Sequence, residues 1–256
     1  MKKDSSIHDL DVTREKNMGF CWSLIFISCA LLTFPSFATA KGNKVLSKTA
    51  LSLGAQQFQK MLVDRPQMAK WKMRSKALDH WAIEQFAGKN VQGSIRWDNG
   101  ELTNNSPEYT AESSYNDGKP FIRIRGKVKT DSPESLWSAF IFECFNIKNS
   151  PKHETVTKAA IEGLLSRAQF IEGQTRVEFD TMHQSAMFYK SFLLPTAQSK
   201  KIKLHPSLWH ADQNDTYVAW IRKYNNPNYY PFNSYGAYYD KYIESIYLES
   251  QAKLNH

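Results

Sequence analysis

The sequence predicts an α+β fold, mainly helical, with a small antiparallel sheet packed against a buried central helix. Three observations support this prediction. An almost uninterrupted apolar run from Leu136 to Ile147 follows helix-start signals. Short alternating segments next to Asn-Gly and Asp-Gly turns precede that run. Further helical patterns flank it without an internal repeat or a low-complexity linker, which predicts a single domain over residues 41–256.

The stretch Asp131–Asn149 is predicted to form the central helix. Ser132 suits the N-cap, Pro133 suits the first turn, and Glu134 adds negative charge near the helix N-terminus. Asn149, Ser150 and Pro151 are predicted to end the helix. Because nearly every position between these ends is apolar, we expect the helix to be buried on all sides.

The other elements are predicted from periodicity, caps and breakers. The predicted helices are 44–64, Ser75–Ala87 with Gly88 after it, Thr155–Leu165, Phe170–Leu194 as far as Pro195, and Tyr238–Leu248. The predicted strands are Ser94–Asp98, followed by the Asn99-Gly100 turn, and Lys119–Val128, preceded by the Asp117-Gly118 turn.

Residues 1–40 are predicted to be a signal peptide. Their apolar core, Gly19–Leu32, has the length of a secretory h-region, and Ala38-Thr39-Ala40 matches the small-x-small cleavage pattern. We therefore expect an exported protein, periplasmic or secreted, that is cleaved after Ala40. An uncleaved membrane anchor and a lipoprotein attached through Cys29 are the alternatives.

The chain has a formal net charge of +8, and the predicted signal peptide contributes no net charge to it. This balance suits an anionic envelope polymer or a membrane surface. The Lys and Arg residues are dispersed and an exported protein rarely meets nucleic acid, so no nucleic-acid partner is expected. Only Cys144 lies beyond residue 40, which excludes an internal disulfide in the mature chain. The sequence does not predict the oligomeric state.

Two glutamates, Glu143 and Glu178, stand out because each lies on an apolar helix stripe. Two carboxylates that meet have separated pKa values, which is how a glycosidase-like or transglycosylase-like site divides acid and base roles. The alternative is that each glutamate pairs with an arginine, because a buried carboxylate requires compensation. The candidate arginines are Arg123, Arg125 and Arg176.

Other residues are candidates for binding. Asn146 follows Glu143 by three positions and is expected to neighbour it on the helix. His183 lies on the opposite face of the helix that carries Glu178. The aromatic-rich C-terminal part offers rings that stack on sugars, and the candidates there are Trp209, Tyr229 and Tyr230.

The region around Glu143 resembles a degenerate zincin metallopeptidase helix. In that family the central helix carries His-Glu-x-x-His, and a downstream Glu can be the third metal ligand. By this resemblance Phe142 and Asn146 stand at the histidine positions, Glu143 at the general base and Glu178 at the downstream ligand. Because both histidines are missing, zinc cannot bind in the usual way, and the resemblance implies at most a zinc-free pseudo-peptidase that binds peptide.

No metal and no cofactor are expected. The sequence contains no phosphate-binding Gly-rich loop, no Gly-x-Ser-x-Gly elbow and no His-Glu-x-x-His. His205 and His210, with Asp212 nearby, are spaced unlike a standard metal motif and are interpreted as ordinary loop residues.

The sequence favours an exported envelope or interaction protein without a catalytic motif, and the chain resembles exported bacterial proteins of no assigned activity. A hydrolase that acts on an envelope glycan or peptide through Glu143 and Glu178 is the alternative, and the pseudo-peptidase is a third. The placement of the two glutamates distinguishes these hypotheses. A shared open cleft favours an enzyme, whereas pairing of each glutamate with an arginine favours a scaffold.

Overall fold

The computed structural model describes residues 45–91, 93–102, 110–125, 131–212, 216–224 and 231–254. The predicted signal peptide, Tyr229 and Tyr230 lie outside the described residues. Helices dominate the described part, and a three-stranded sheet accompanies them. This architecture confirms the mainly helical α+β class.

Along the described part of the chain, three helices come first, three short strands follow, and the remaining helices come after the strands. The helices are α1 Lys48–Asp64, α2 Pro66–Ala69, α3 Lys76–Phe86, α4 Pro133–Ile161, α5 Arg167–Phe188, α6 Leu194–Ser199, α7 Tyr217–Tyr224, α8 Phe232–Tyr238 and α9 Glu244–Leu254. The strands are β1 Arg96–Trp97, β2 Ala111–Asn116 and β3 Lys119–Ile124. Turns of π-helix at Tyr189–Leu193 and Tyr239–Ile243 join α5 to α6 and α8 to α9, and a 3₁₀ turn spans Pro206–Trp209.

Helix α4 begins as the sequence predicts and is the buried centre of the fold. The Ser132 side chain accepts a hydrogen bond of 3.0 Å from the Ser135 N–H, and Pro133 occupies the first turn. Every residue from 136 to 147 is buried. The prediction of a helix that is covered on all sides is therefore confirmed.

The predicted end of α4 is wrong. The helix continues through Pro151 to Ile161, so the separate helix predicted over Thr155–Leu165 is its second half. An interior proline costs about 3 kcal/mol because it removes a backbone hydrogen bond and crowds the preceding turn. Packing against α5 offsets that cost, since the buried Asn149 side chain donates a hydrogen bond of 2.9 Å to the Thr181 hydroxyl.

Most of the apolar core surrounds the first half of α4. Helices α1 to α3 and the inner face of the sheet pack against it in one cluster of buried side chains. Large members of this cluster are Met61, Phe86, Ile122, Ile124, Trp137, Phe140 and Trp209.

The sheet is mixed, with strand order β1-β3-β2. Strands β2 and β3 form an antiparallel hairpin around the predicted turn at Asp117 and Gly118, and both turn residues have positive φ, 50° and 71°. Strand β1 pairs parallel to β3, so the prediction that Asn99-Gly100 makes a hairpin is wrong. The buried Trp97 instead donates its backbone N–H to the Gln57 side chain of α1 at 2.9 Å, which directs β1 toward the helices.

Two other helix predictions are confirmed, and a third is corrected. Helices α1 and α3 match the segments predicted over 44–64 and 75–87, and Gly88 follows α3 with φ of +81°. Pro195 does not end the long helix that precedes it, which runs on to Ser199 as α6. The π-helical turn directly before Pro195 widens the helix, which accommodates the proline ring.

The first turn of α4 anchors the segment that carries Trp209. One carboxylate oxygen of Glu134 accepts hydrogen bonds from the His205 backbone N–H at 2.8 Å and the Trp209 indole N–H at 2.9 Å. Trp209 is fully buried, and its ring stacks on Trp71 with a centroid separation of 6.2 Å. Its predicted role as a sugar platform is therefore wrong, because its ring is enclosed in the core.

We expect Glu134→Ala to lower the free energy of unfolding by about 2–3 kcal/mol, because it leaves the buried Trp209 indole donor without an acceptor. Urea denaturation monitored by tryptophan fluorescence measures this change. Glu162→Ala is the matched control, since Glu162 is exposed at the other end of α4. The control is expected to change the free energy by less than about 0.5 kcal/mol, and equal losses in both variants would contradict the anchoring role.

Candidate functional site

Helices α4 and α5 pack as antiparallel neighbours, and buried polar side chains line their interface. Most of these side chains follow one another at three- and four-residue intervals, so they lie along one face of each helix. We call this set the polar seam. Its members are Glu143, Asn146, Asn149, Ser150, His153 and Thr157 on α4, and Gln174, Glu178, Thr181 and Ser185 on α5.

Hydrogen bonds close the end of the polar seam nearest the α4–α5 turn. The Gln174 amide donates to the Thr157 hydroxyl at 2.9 Å and to the His153 carbonyl at 3.2 Å. The His153 ring also contacts the Gln174 side-chain oxygen through Nδ1. Burial lowers the pKa of His153 to about 4, so the ring is neutral at neutral pH.

Glu143 lies at the other end of the polar seam and is completely buried. Its Oε2 atom accepts a hydrogen bond of 3.1 Å from the Asn146 amide, which confirms that the two residues are neighbours. The pKa of Glu143 is raised to about 8, mainly because the carboxyl is buried, and the charges of Glu178 and Glu112 also raise it. Hydrogen bonds from the Ser113 hydroxyl and the Asn146 amide lower this pKa, but by less. The Glu143 carboxyl is therefore mainly protonated at neutral pH.

Glu178 lies in the same buried seam and is 1% exposed. Its Oε2 atom accepts a hydrogen bond of 3.2 Å from the Tyr235 hydroxyl on α8. The negative charge of Glu178 contributes to the raised pKa of Glu143. The structure thus brings the two glutamates into one environment, but that environment is closed to solvent.

The three arginines considered as partners bind other acids. Arg123 contacts both Asp98 and Glu112 at 2.9 Å. In the same way, Arg125 contacts Asp131 at 3.1 Å, and Arg176 contacts Glu172 at 2.7 Å.

In the described part of the chain, no arginine lies within ion-pair distance of Glu143, so its predicted ion pair is wrong. The arginines do not reach Glu143 because they lie at the surface, near acids of their own. Arg123 belongs to a sheet-surface cluster with acids of its own, and the Arg176 side chain is more than half exposed. A proton on Glu143, rather than an arginine, compensates its burial.

Several polar atoms of the seam have no hydrogen-bond partner among the described residues. They are Glu143 Oε1, Asn146 Oδ1, His153 Nε2 and Ser185 Oγ. Each such atom costs about 1–3 kcal/mol when it is fully buried.

The histidines considered in the sequence do not join the polar seam. His183 is exposed on α5, and its ring stacks on Phe179 with a centroid separation of 6.1 Å. His210 is buried against Phe142, and burial lowers its pKa to about 4. His210 lies in a turn, as the sequence predicts, but its ring is buried there rather than exposed. Across the described ranges, no group of three or more His, Cys, Asp or Glu residues could hold a metal ion.

Sequence reasoning missed part of the site. Strand β2 was not predicted, although Ser113 and Tyr115 alternate before the Asp-Gly turn and lie near Glu143 and Ser150. His153 is not among the sequence candidates because Pro151 is predicted to end the helix before it. Gln174 lies within the predicted helix Phe170–Leu194, but it is not among the candidates either. Continued through the proline, the polar spacing after Glu143 would have revealed the seam.

A separate open cleft lies between the start of α5, helix α7 and helix α8, and we call it the α5–α8 cleft. Its volume is about 730 Å³. Its lining includes Arg167, Ile171, Glu172, Tyr217, Ile221, Ala237 and Asp240.

No family model, curated protein or solved structure matches this chain. The resemblance to a zincin helix therefore stays a prediction. Within the described residues, none of the helices combines the length and the apolar character needed to cross a membrane.

We expect Glu143→Gln to remove one component of the pH dependence of stability. The folded state holds the Glu143 proton up to about pH 8, whereas the unfolded chain loses it near the ordinary pKa of 4.5. The free energy of unfolding of the wild type should therefore fall between these pH values, by up to about 1.4 kcal/mol per pH unit. The glutamine variant has no such proton and should be the more stable protein at high pH.

Urea denaturation at both ends of this pH range measures the difference. Glu162→Gln is the control, because this exposed residue on the same helix should leave the wild-type pH profile unchanged. Parallel profiles for wild type and Glu143→Gln would show that Glu143 is not the buried proton carrier.

Proposed function

We propose that the protein is an exported, non-catalytic binding protein of the cell envelope. The observation that carries this proposal is the enclosure of both candidate catalytic acids, since Glu143 is 0% exposed and Glu178 is 1% exposed. A general acid or base must come within hydrogen-bond distance of the group that it protonates or deprotonates. A polymer substrate has no access to either carboxyl in this arrangement.

The polar seam is assigned a structural role under this proposal. A protonated Glu143 is a neutral group that both donates and accepts hydrogen bonds, which suits a buried helix interface. Its proximity to Glu178 on α5 and to Ser113 on β2 connects α4 to both α5 and the sheet. The seam then specifies how the helices pack, at a cost in stability.

The partner expected on electrostatic grounds is an anionic envelope polymer or the membrane surface. The predicted mature chain keeps the whole formal charge of +8, and charges of this size attract anionic surfaces over about a Debye length. The predicted signal peptide places the chain where such surfaces occur.

A hydrolase is the second candidate, and one observation favours it. Glu143 has a pKa raised to about 8 and lies in one environment with a second acid. A protonated acid next to a carboxylate is the division of roles that glycoside hydrolysis requires. This function would require α4 and α5 to separate before the acids could reach a substrate. The zinc-free pseudo-peptidase has no observation of its own beyond the sequence resemblance.

Co-sedimentation with purified anionic envelope polymer tests the proposed function. We expect the wild-type protein to sediment with the polymer at low ionic strength and to be released at about 0.5 M salt, because salt screens the attraction. Glu143→Gln and Glu178→Gln should bind as the wild type does, because neither residue is at the surface.

The predicted cleavage after Ala40 has a test of its own. N-terminal sequencing of the exported protein should give a sequence that begins at Lys41.

The co-sedimentation samples separate the two candidates. Release of soluble fragments by the wild-type protein, abolished in Glu143→Gln, would establish the hydrolase and overturn the non-catalytic proposal. Absence of sedimentation at low ionic strength would exclude the electrostatic partner.

A further inference from the structure

The α5–α8 cleft has an apolar floor. The half-buried side chains of Ile171 on α5, and of Tyr217 and Ile221 on α7, line it and keep part of their apolar surface accessible. The volume of about 730 Å³ is in the range of small-ligand sites, which span roughly 300–1,000 Å³. The cleft is open on one side, so a bound chain could extend out of it.

Paired charges form the rim of this cleft. The Arg167 guanidinium binds both carboxylate oxygens of Asp240 at 2.6 and 2.8 Å. Glu172 is paired in turn with Arg176 at 2.7 Å. The rim is therefore close to neutral, although the whole chain is strongly basic.

A glycine leaves room for the rim arginine. A Cβ atom at Gly236 would lie 2.6 Å from Arg167 Nη2, so the absent side chain lets the guanidinium lie against α8. The Asp240 contacts use the Nε and Nη2 groups, and the Nη1 group donates to no described residue. The rim thus presents an oriented donor next to carboxylate acceptors.

We propose that the α5–α8 cleft binds a neutral oligosaccharide. The proposal deepens the proposed envelope-binding function and rests on it for the location of the ligand. Sugar hydroxyls donate and accept hydrogen bonds, so they can satisfy the arginine donor and the acidic acceptors together. The C–H faces of a sugar ring match the aliphatic floor of Ile171 and Ile221, whereas the Arg176 guanidinium already lies over the Tyr217 ring, 4.3 Å from its centroid.

Charge and desolvation argue against the other ligand classes. An anionic ligand would meet Glu172 and Asp240, whose arginine partners are already neutralised by these acids. An acyl chain would cover the rim charges without offering them any hydrogen bond, which is costly. The net charge of +8 on the whole chain is the better match for anionic groups of the same polymer.

Isothermal titration calorimetry with four probes tests the proposal: a neutral N-acetylated tetrasaccharide, a neutral glucose tetrasaccharide, an anionic uronic-acid tetrasaccharide and decanoate. We expect the wild type to bind at least one neutral tetrasaccharide, with the anionic one weaker by about tenfold or more. Arg167→Gln removes the rim donors, and Ala237→Trp fills the cleft from an exposed position. Each should weaken the neutral ligand at least about tenfold.

Lys241→Ala is the control, because Lys241 is exposed on the adjoining turn and does not line the cleft. It should bind the neutral ligand as the wild type does, and thermal unfolding should show that all three variants are folded. Failure of both neutral tetrasaccharides to bind at about 10 mM, equal binding by the cleft variants, or preference for decanoate or the anionic probe would overturn the proposal.

Co-sedimentation distinguishes this failure from failure of the proposed function. If the cleft variants and the wild type still sediment with anionic envelope polymer while no neutral saccharide binds, the cleft assignment fails and the envelope-binding function stands. If the wild type binds no polymer but does bind the neutral tetrasaccharide in the cleft, the electrostatic partner fails and the saccharide site stands.

Discussion

The enclosure of α4 is the constraint on which the rest of the structure depends. Its apolar residues are covered by α1 to α3 and the sheet, which leaves α5 to cover its polar face. The first half of α4 is buried on all sides from residue 136 to 147. The surrounding elements must supply partners or protons for Glu143 and Asn146 there, because desolvated polar groups are costly. Some polar atoms of the seam have no hydrogen-bond partner among the described residues. Burial of the apolar cluster around Trp137 therefore contributes most of the stability of this region.

The sequence predicts local features better than the features that depend on packing. The cap at Ser132 and the burial of the apolar run followed from residue type and spacing alone. The continuation of α4 through Pro151 could not be predicted, because the interactions that offset the proline come from α5. The protonation of Glu143 likewise depends on burial by elements distant in sequence. Periodicity predicted that its side chain faces the core, but not whether the carboxyl is paired or protonated.

The two candidate regions of the molecule have opposite properties. The polar seam holds acids with unusual chemistry but excludes solvent, whereas the α5–α8 cleft is open and its charges are already paired. Accessibility is required for both binding and catalysis, so the cleft is the better candidate for ligand contact and the seam for architecture. Tyr235 connects the two regions, since its hydroxyl binds Glu178 from the helix that forms one wall of the cleft.

The protonation state of Glu143 is the most direct test of this account. Carbon-detected NMR of protein labelled at the glutamate side-chain carboxyls, with Glu143→Gln to assign the resonance, follows the titration of this single group. The account predicts a midpoint near pH 8, far above the ordinary value of 4.5. A midpoint at the ordinary value would show that Glu143 is solvated or ion-paired, and would contradict a closed polar seam between α4 and α5.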